Sequence, residues 1–199
     1  MPSTNDTIHP LWLRLSHWVN ALAVVLMVLS GWRIFNASPL WEGTAFPPGI
    51  TLGGWLGGGL MWHFAAMWLL AANGLLYLVL NLTSGRFLHK FLPISPRALW
   101  ADMASALRGR LTHEDPAHYN AVQRAAYLFV VLDLLALVLS GLVLWKSVQF
   151  PLLREALGGY EFARRIHFFA MALLVAFIAV HLVMVALVPR TLVAMLRGR

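Results

Sequence analysis

The 199-residue chain contains no cysteine, and it carries only eight Asp and Glu against fifteen Lys and Arg. Without a thiol there is no disulfide scaffold, no Cys-ligated zinc site and no iron–sulfur cluster. Charged residues make up 12% of the chain, against about 25% in soluble domains. Too few polar groups therefore exist to cover a water-exposed globule. The hydrophobic fraction of 60% and a mean hydropathy of +0.72 exclude a disordered chain as well. What is present in quantity is long apolar runs, nine tryptophans and eight histidines.

A membrane span needs roughly 20 mostly apolar residues. Four segments meet that length, at about 13–35, 59–82, 121–145 and 162–188. Trp12, Trp18, Trp32, Trp62, Trp100 and Trp145 fall near their ends, where indole rings settle at the membrane interface. Pro189 closes the last run. The first run is too long for a cleavable leader, and it lacks a basic n-region and an A-x-A site. The expected fold is an all-α integral membrane four-helix bundle in a single domain spanning 1–199.

The basic residues set its orientation. Arg14, Arg86, Lys90, Arg97, Arg108, Arg110, Arg124, Arg190, Arg197 and Arg199 fall in the tails and the second loop, while Arg33, Lys146, Arg154, Arg164 and Arg165 fall in the other two loops. Ten against five predicts N-in/C-in topology by the positive-inside rule. The net charge of +7 is then a topology signal. It does not form the basic patch on an aqueous domain that nucleic-acid binding requires. The first loop is rich in Gly, Pro and Trp and suits the membrane surface or a partner protein. The cytoplasmic loop 84–119 contains SPRALWADMASALRGR, with Ser95 as N-cap and Pro96 at the first helical position. It predicts an interfacial amphipathic helix over about 95–110.

An internal repeat underlies the four spans. HFAAMWLL starts at His63 and HFFAMALL at His167, identical at six of eight positions. The first and third spans share the ending LMVLSGW (Leu26–Trp32) against LALVLSGL (Leu135–Leu142). The pattern is that of two helix pairs offset by a little over 100 residues.

Four histidines, His9, His89, His113 and His118, lie in the tail or the cytoplasmic loop. The other four, His17, His63, His167 and His181, lie inside spans, where an ionisable side chain is costly. His181 follows His167 by fourteen residues, which on a helix is about 21 Å of rise and about 40° of rotation. His63 is level with His167 by depth, and His17 with His181. Two coplanar pairs suit bis-His ligation of two b haems. A metal site, a proton relay and hydrogen-bonded packing are the alternatives. Met27, Met67 and Met171 read as core filling, since enough histidines are available, with axial ligation as the alternative. Gly31, Gly74 and Gly141 read as admitting a porphyrin face or as allowing close helix packing, with packing favoured for Gly74.

This pattern, together with HPLWLRLSHW, SGWRIFNASP, WHFAAMW and the closing HFFAM…HLVMVALVPR, resembles the bacterial cytochrome b561 group. That group includes the cytochrome b subunits of nickel–iron hydrogenases and formate dehydrogenases. The resemblance covers nearly the whole chain. It implies that the four histidines are axial haem-iron ligands, paired His63/His167 at the outer level and His17/His181 at the inner. It also implies a likeness to anchors for periplasmic molybdopterin oxidoreductases of the sulfite-oxidase kind.

Haem propionates need cationic partners. Arg33, Arg164 and Arg165 are candidates at the outer level, Arg14 and Arg190 at the inner; interface anchoring is the alternative for each. His118, Asn120 and Gln123, beside Arg124, form a candidate quinone site, with helix capping by Asn120 as the alternative. Asp133, near the middle of the third span, is a candidate proton relay or a hydrogen-bonded structural acid. The expected function is one-electron transfer between a periplasmic redox protein and the quinone pool. The expected cofactors are two haem b with quinone as substrate or partner, in a lipid bilayer, alone or as a homo-oligomer. The rival functions are a stand-alone superoxide:quinone oxidoreductase and a haem-free anchor or transporter. No side chain is assigned a catalytic role.

Overall fold

A computed structural model describes residues 10–83 and 121–198, together with 95, 97, 100–102 and 104. Six helices are labelled here in chain order: α1 (Leu11–Ala37), α2 (Leu56–Thr83), α3 (Ala121–Lys146), α4 (Pro151–Ala156), α5 (Tyr160–Leu187) and α6 (Pro189–Arg197). A 3-10 turn, Pro48–Ile50, lies in the first loop. Among the described residues there is no strand. Four helices (α1, α2, α3 and α5) are long and apolar enough to cross a membrane, and each end lies within three residues of its predicted span. Of the predicted cytoplasmic helix, residues 97, 100–102 and 104 are helical, and Trp100 is exposed. The rest of that segment lies outside the described residues.

The chain falls into two compact units, Met1–Gly85 with Leu192–Arg199 and Arg86–Thr191. Unit one is built on the α1/α2 hairpin. Small or polar residues spaced by sevens, Ser16, Ala23 and Ser30, are buried along α1. Gly59 and Ala66 do the same along α2, with Asn81 further on. Close approach of two helices in lipid comes from such small-residue stripes, because apolar burial alone gives no preference for a neighbouring helix over lipid tails. Asn73 ties the two helices across the apolar interior: its Nδ2 donates to the Ser16 carbonyl at 2.8 Å and to Asn20 Oδ1 at 2.7 Å.

The first loop folds back onto the end of α1. The Asn36 side chain clamps Phe46 from both sides, with Nδ2 donating to the Phe46 carbonyl and Oδ1 accepting its N–H, each at 2.8 Å. Phe46 then stacks on Trp32 with ring centroids 4.7 Å apart. The Leu52 N–H donates to the Leu29 carbonyl at 3.0 Å. Gly53 (φ 110°) lets the loop run against the backbone of Gly58 and Gly59, where a Cβ would collide. Trp41, Ile50 and Trp55 remain exposed on this loop.

Unit two is built on α3 and α5. Asp133, Ser140 and Val143 are buried on α3, and Ala163, Ala170 and Leu174 on α5. The turn between them is short. Helix α4 ends as the Gly159 N–H donates to the Arg154 carbonyl at 2.8 Å and the Gly158 N–H to that of Glu155 at 3.0 Å. Gly158 (φ 77°) supplies the left-handed residue that such a helix end requires. Helix α5 stops before Pro189, which opens α6.

Candidate functional site

Each unit holds one histidine in the same clasp. In unit one His63, on α2, sits with Nδ1 3.1 Å from the Met27 carbonyl and 3.1 Å from Ser30 Oγ, both on α1. Ser30 Oγ lies 2.6 Å from the Leu26 carbonyl one turn back. In unit two His167, on α5, sits with Nδ1 3.1 Å from the Leu137 carbonyl and 3.0 Å from Ser140 Oγ on α3. Ser140 Oγ lies 2.5 Å from the Ala136 carbonyl.

The direction of these bonds follows from proton supply. A carbonyl has no proton, so the imidazole must donate from Nδ1. The single serine proton goes to the nearest carbonyl, four residues back, and the hydroxyl oxygen accepts from Nδ1–H. With its proton on Nδ1, each neutral ring carries its lone pair on Nε2. The glycine after each serine completes the clasp. A Cβ on Gly31 would lie 3.5 Å from His63 Cε1, and one on Gly141 would lie 3.3 Å from His167 Cε1. These two glycines thus make room for the imidazole edge. Gly74, expected to serve packing, has no atom within 4 Å of where a Cβ would stand among the described residues.

The second histidine of each unit lies about half a helix length away from the clasp. Helix α1 runs unbroken from His17 to Ser30, thirteen residues, or about 20 Å. Helix α5 runs unbroken from His167 to His181, fourteen residues, or about 21 Å. His17 is half-buried and meets the Trp18 ring edge-on at 5.3 Å. His181 is exposed and stacks on Phe177 at 6.1 Å and 13°.

Three of the candidate arginines bind oxygens of their own unit. Arg14 Nη1 donates to the Leu196 carbonyl at 2.6 Å, which fastens the end of α6 to α1. Arg33 donates to the Gly54 carbonyl and so pins the first loop. Arg164 pairs with Glu161 at 3.4 Å, an exposed (i, i+3) contact of small energetic weight. Arg165 and Arg190 are exposed. Gln123 and Arg124 lie in the first turn of α3, Gln123 exposed and Arg124 half-buried; His118 and Asn120 lie outside the described residues.

Asp133 is buried with 7% exposure, and its Oδ2 has no hydrogen-bond partner among the described residues. It lies seven residues before Ser140, on the same stripe of α3. No group of three or more His, Asp or Glu residues forms a metal cluster among the described residues.

The serines are what sequence reasoning missed. Their signal was the Ser–Gly pair at the same place in both copies of the repeat. The hydroxyls' partners lie on another helix, so only the fold could show them.

The chain is 65% identical, over 96% of its length and 96% of the relative, to a protein of Azospira oryzae that carries the name of a protein-methionine-sulfoxide reductase subunit, YedZ1. It is 29% identical, over 85% of its length and 74% of the relative, to a protein of Cupriavidus necator named as a Ni/Fe-hydrogenase B-type cytochrome subunit. No solved structure matches the chain. The family model of prokaryotic cytochrome b561 matches residues 8–198, and the chain belongs to that family.

Proposed function

We propose that this chain is the di-haem b membrane subunit of a periplasmic reductase, carrying electrons singly from the quinone pool to its partner. The observation that carries the reading is the clasp repeated in both units. Membership in a cytochrome b family implies haem b, and the donor chemistry fits it. His63 and His167 each fix their proton on Nδ1, which leaves Nε2 as the nitrogen suited to an axial position. Haem held there supplies a one-electron couple inside a low-dielectric bundle.

In this reading His63 and His167 hold the outer haem, and His17 and His181 the inner. Support comes from the equal spacing within each unit, about 20 Å between clasp and second histidine. Arg165 and Arg190, exposed near the ends of α5, lead as propionate partners. Arg14, Arg33 and Arg164 each commit one nitrogen to an oxygen of their own unit and keep further N–H donors for a propionate, among them the Nε of Arg14, buried and unbonded among the described residues. His118, Asn120 and Gln123 are the proposed quinone contacts at the cytoplasmic start of α3. Asp133 is the proposed proton-carrying group, since it is a buried acid with an unbonded oxygen.

The relative's name supports an outward direction for the electrons. Reducing a methionine sulfoxide to the thioether consumes two electrons and two protons and releases water. A subunit serving that reaction takes electrons from quinol and passes them outward, N-in/C-in, to a periplasmic molybdopterin oxidoreductase. The test uses purified chain in lipid vesicles. A quinol analogue should reduce two b-type absorbances, and the partner plus a sulfoxide-bearing protein should reoxidise them. Rapid reduction by superoxide without a partner would favour a stand-alone superoxide:quinone oxidoreductase. Absence of any b-type band would leave a haem-free anchor.

A further inference from the structure

We infer that Ser30 and Ser140 are paired positioning residues for the outer haem, each fixing the tautomer and ring rotation of the histidine it contacts. The inference rests on the ligation by His63 and His167 proposed above. A serine inside an apolar helix ordinarily returns its proton to the carbonyl one turn back and does nothing further. Both serines do return it, to Leu26 and Ala136. That bond orients the hydroxyl so that a lone pair of Oγ faces the histidine on the neighbouring helix.

The imidazole therefore meets two acceptors, the serine oxygen and the carbonyl of the residue three positions before it in sequence. Two acceptors on different sides of one N–H define the ring plane more tightly than one. They also draw on the Nδ1 proton, making Nε2 a stronger donor toward iron. Such outer contacts on metal-bound histidines orient the ring and raise its basicity. A more basic axial ligand favours the ferric state and lowers the potential. Both serines are buried, Ser30 and Ser140 each at 0% exposure, so water does not substitute for the hydroxyl. The arrangement recurs within 0.1 Å in both units, at Oγ–Nδ1 distances of 3.1 and 3.0 Å. The bond is kept in both units, whereas the Asn20–Asn73 bond of unit one has Val130 and Phe177 in its place in unit two.

The test is redox potentiometry of the holoprotein with optical and ferric EPR detection, using S30A, S140A, the double variant and S30T. The outer haem is identified as the one lost in H63A. The single Ala variants should keep both haems and raise only the outer potential. The double variant should shift it by about tenfold in the reduction equilibrium, about 59 mV for a one-electron couple. S30T, which keeps the hydroxyl, should retain the original potential and ferric spectrum. An unchanged outer potential in the double variant, an equal shift of both haems, or S30T behaving as S30A would overturn the proposal. Should the Ala variants fail to assemble, native potential in S30T supports it and an altered one overturns it. If H63A retains both haems, the ligation itself is wrong, an outcome distinct from any of these.

Discussion

The two helix hairpins agree where histidine is held and differ elsewhere. Ser30, Gly31 and His63 in unit one correspond to Ser140, Gly141 and His167 in unit two, down to the carbonyls three and four residues before the serine. Seven residues further along the same stripe, Ala23 at 0% exposure corresponds to Asp133 at 7%. Another turn away, the Asn20–Asn73 hydrogen bond of unit one has Val130 and Phe177 in its place, and Phe177 meets Phe129 at 6.3 Å. The second histidine changes helix: His17 is on the first helix of its pair and His181 on the second of its own. Tyr77 and Tyr127 stand at the positions thus vacated. The repeat thus keeps the clasp in both units and carries the second histidine on different helices.

The largest effect should come from breaking the symmetric part. H63A and H167A are each expected to abolish the same b-type absorbance, since the proposed ligation sets them on one haem. Loss of different bands from the two variants would refute that pairing. Next come the glycines. A methyl on Gly141 would stand 3.3 Å from the imidazole, tighter than ordinary contact, and one on Gly31 would stand 3.5 Å away. G141A should therefore cost about 1–3 kcal/mol in detergent unfolding, as overpacking does, and should broaden the ferric spectrum. G31A should be milder in both measurements. A reversed order would show that the two clasps are not held alike.

The prediction at Asp133 makes unit two resemble unit one. D133A removes a buried oxygen without a partner and restores the small residue of the repeat. It should raise unfolding stability by about 1 kcal/mol while slowing quinol-dependent reduction, the usual trade at a functional group. A destabilised variant, or unchanged quinol turnover, would contradict the proton-carrying assignment. The smallest effect is expected for N20A, which removes one of the two interhelical bonds that Asn73 donates. Its cost should be near the ~0.6 kcal/mol average for such bonds in membranes, measured by the same unfolding assay, with haem content unchanged.

Much of this was legible in the sequence for simple reasons. Spans follow from apolar run length, and the helix ends match because Trp and Pro mark the interface. The repeat was readable because HFxAM and LSG are local strings. The clasp was not, since a hydroxyl's second partner is a tertiary contact thirty residues away. The same holds for Arg33, whose charge and depth were readable but whose bond to a carbonyl of the first loop was not. Asn36 gave no signal either; its clamp on Phe46 exists only once the loop has folded back. In each case residue type was visible and the partner was set by chain path.

The measurement that bears most directly on the central claim is haem stoichiometry with ligand assignment. Purified protein should contain two b haems per chain by reduced-minus-oxidised absorbance. H63A and H167A should each lose the outer one, and H17A and H181A the inner one. A single haem, no haem, or retention of both in any of the four variants would contradict the account.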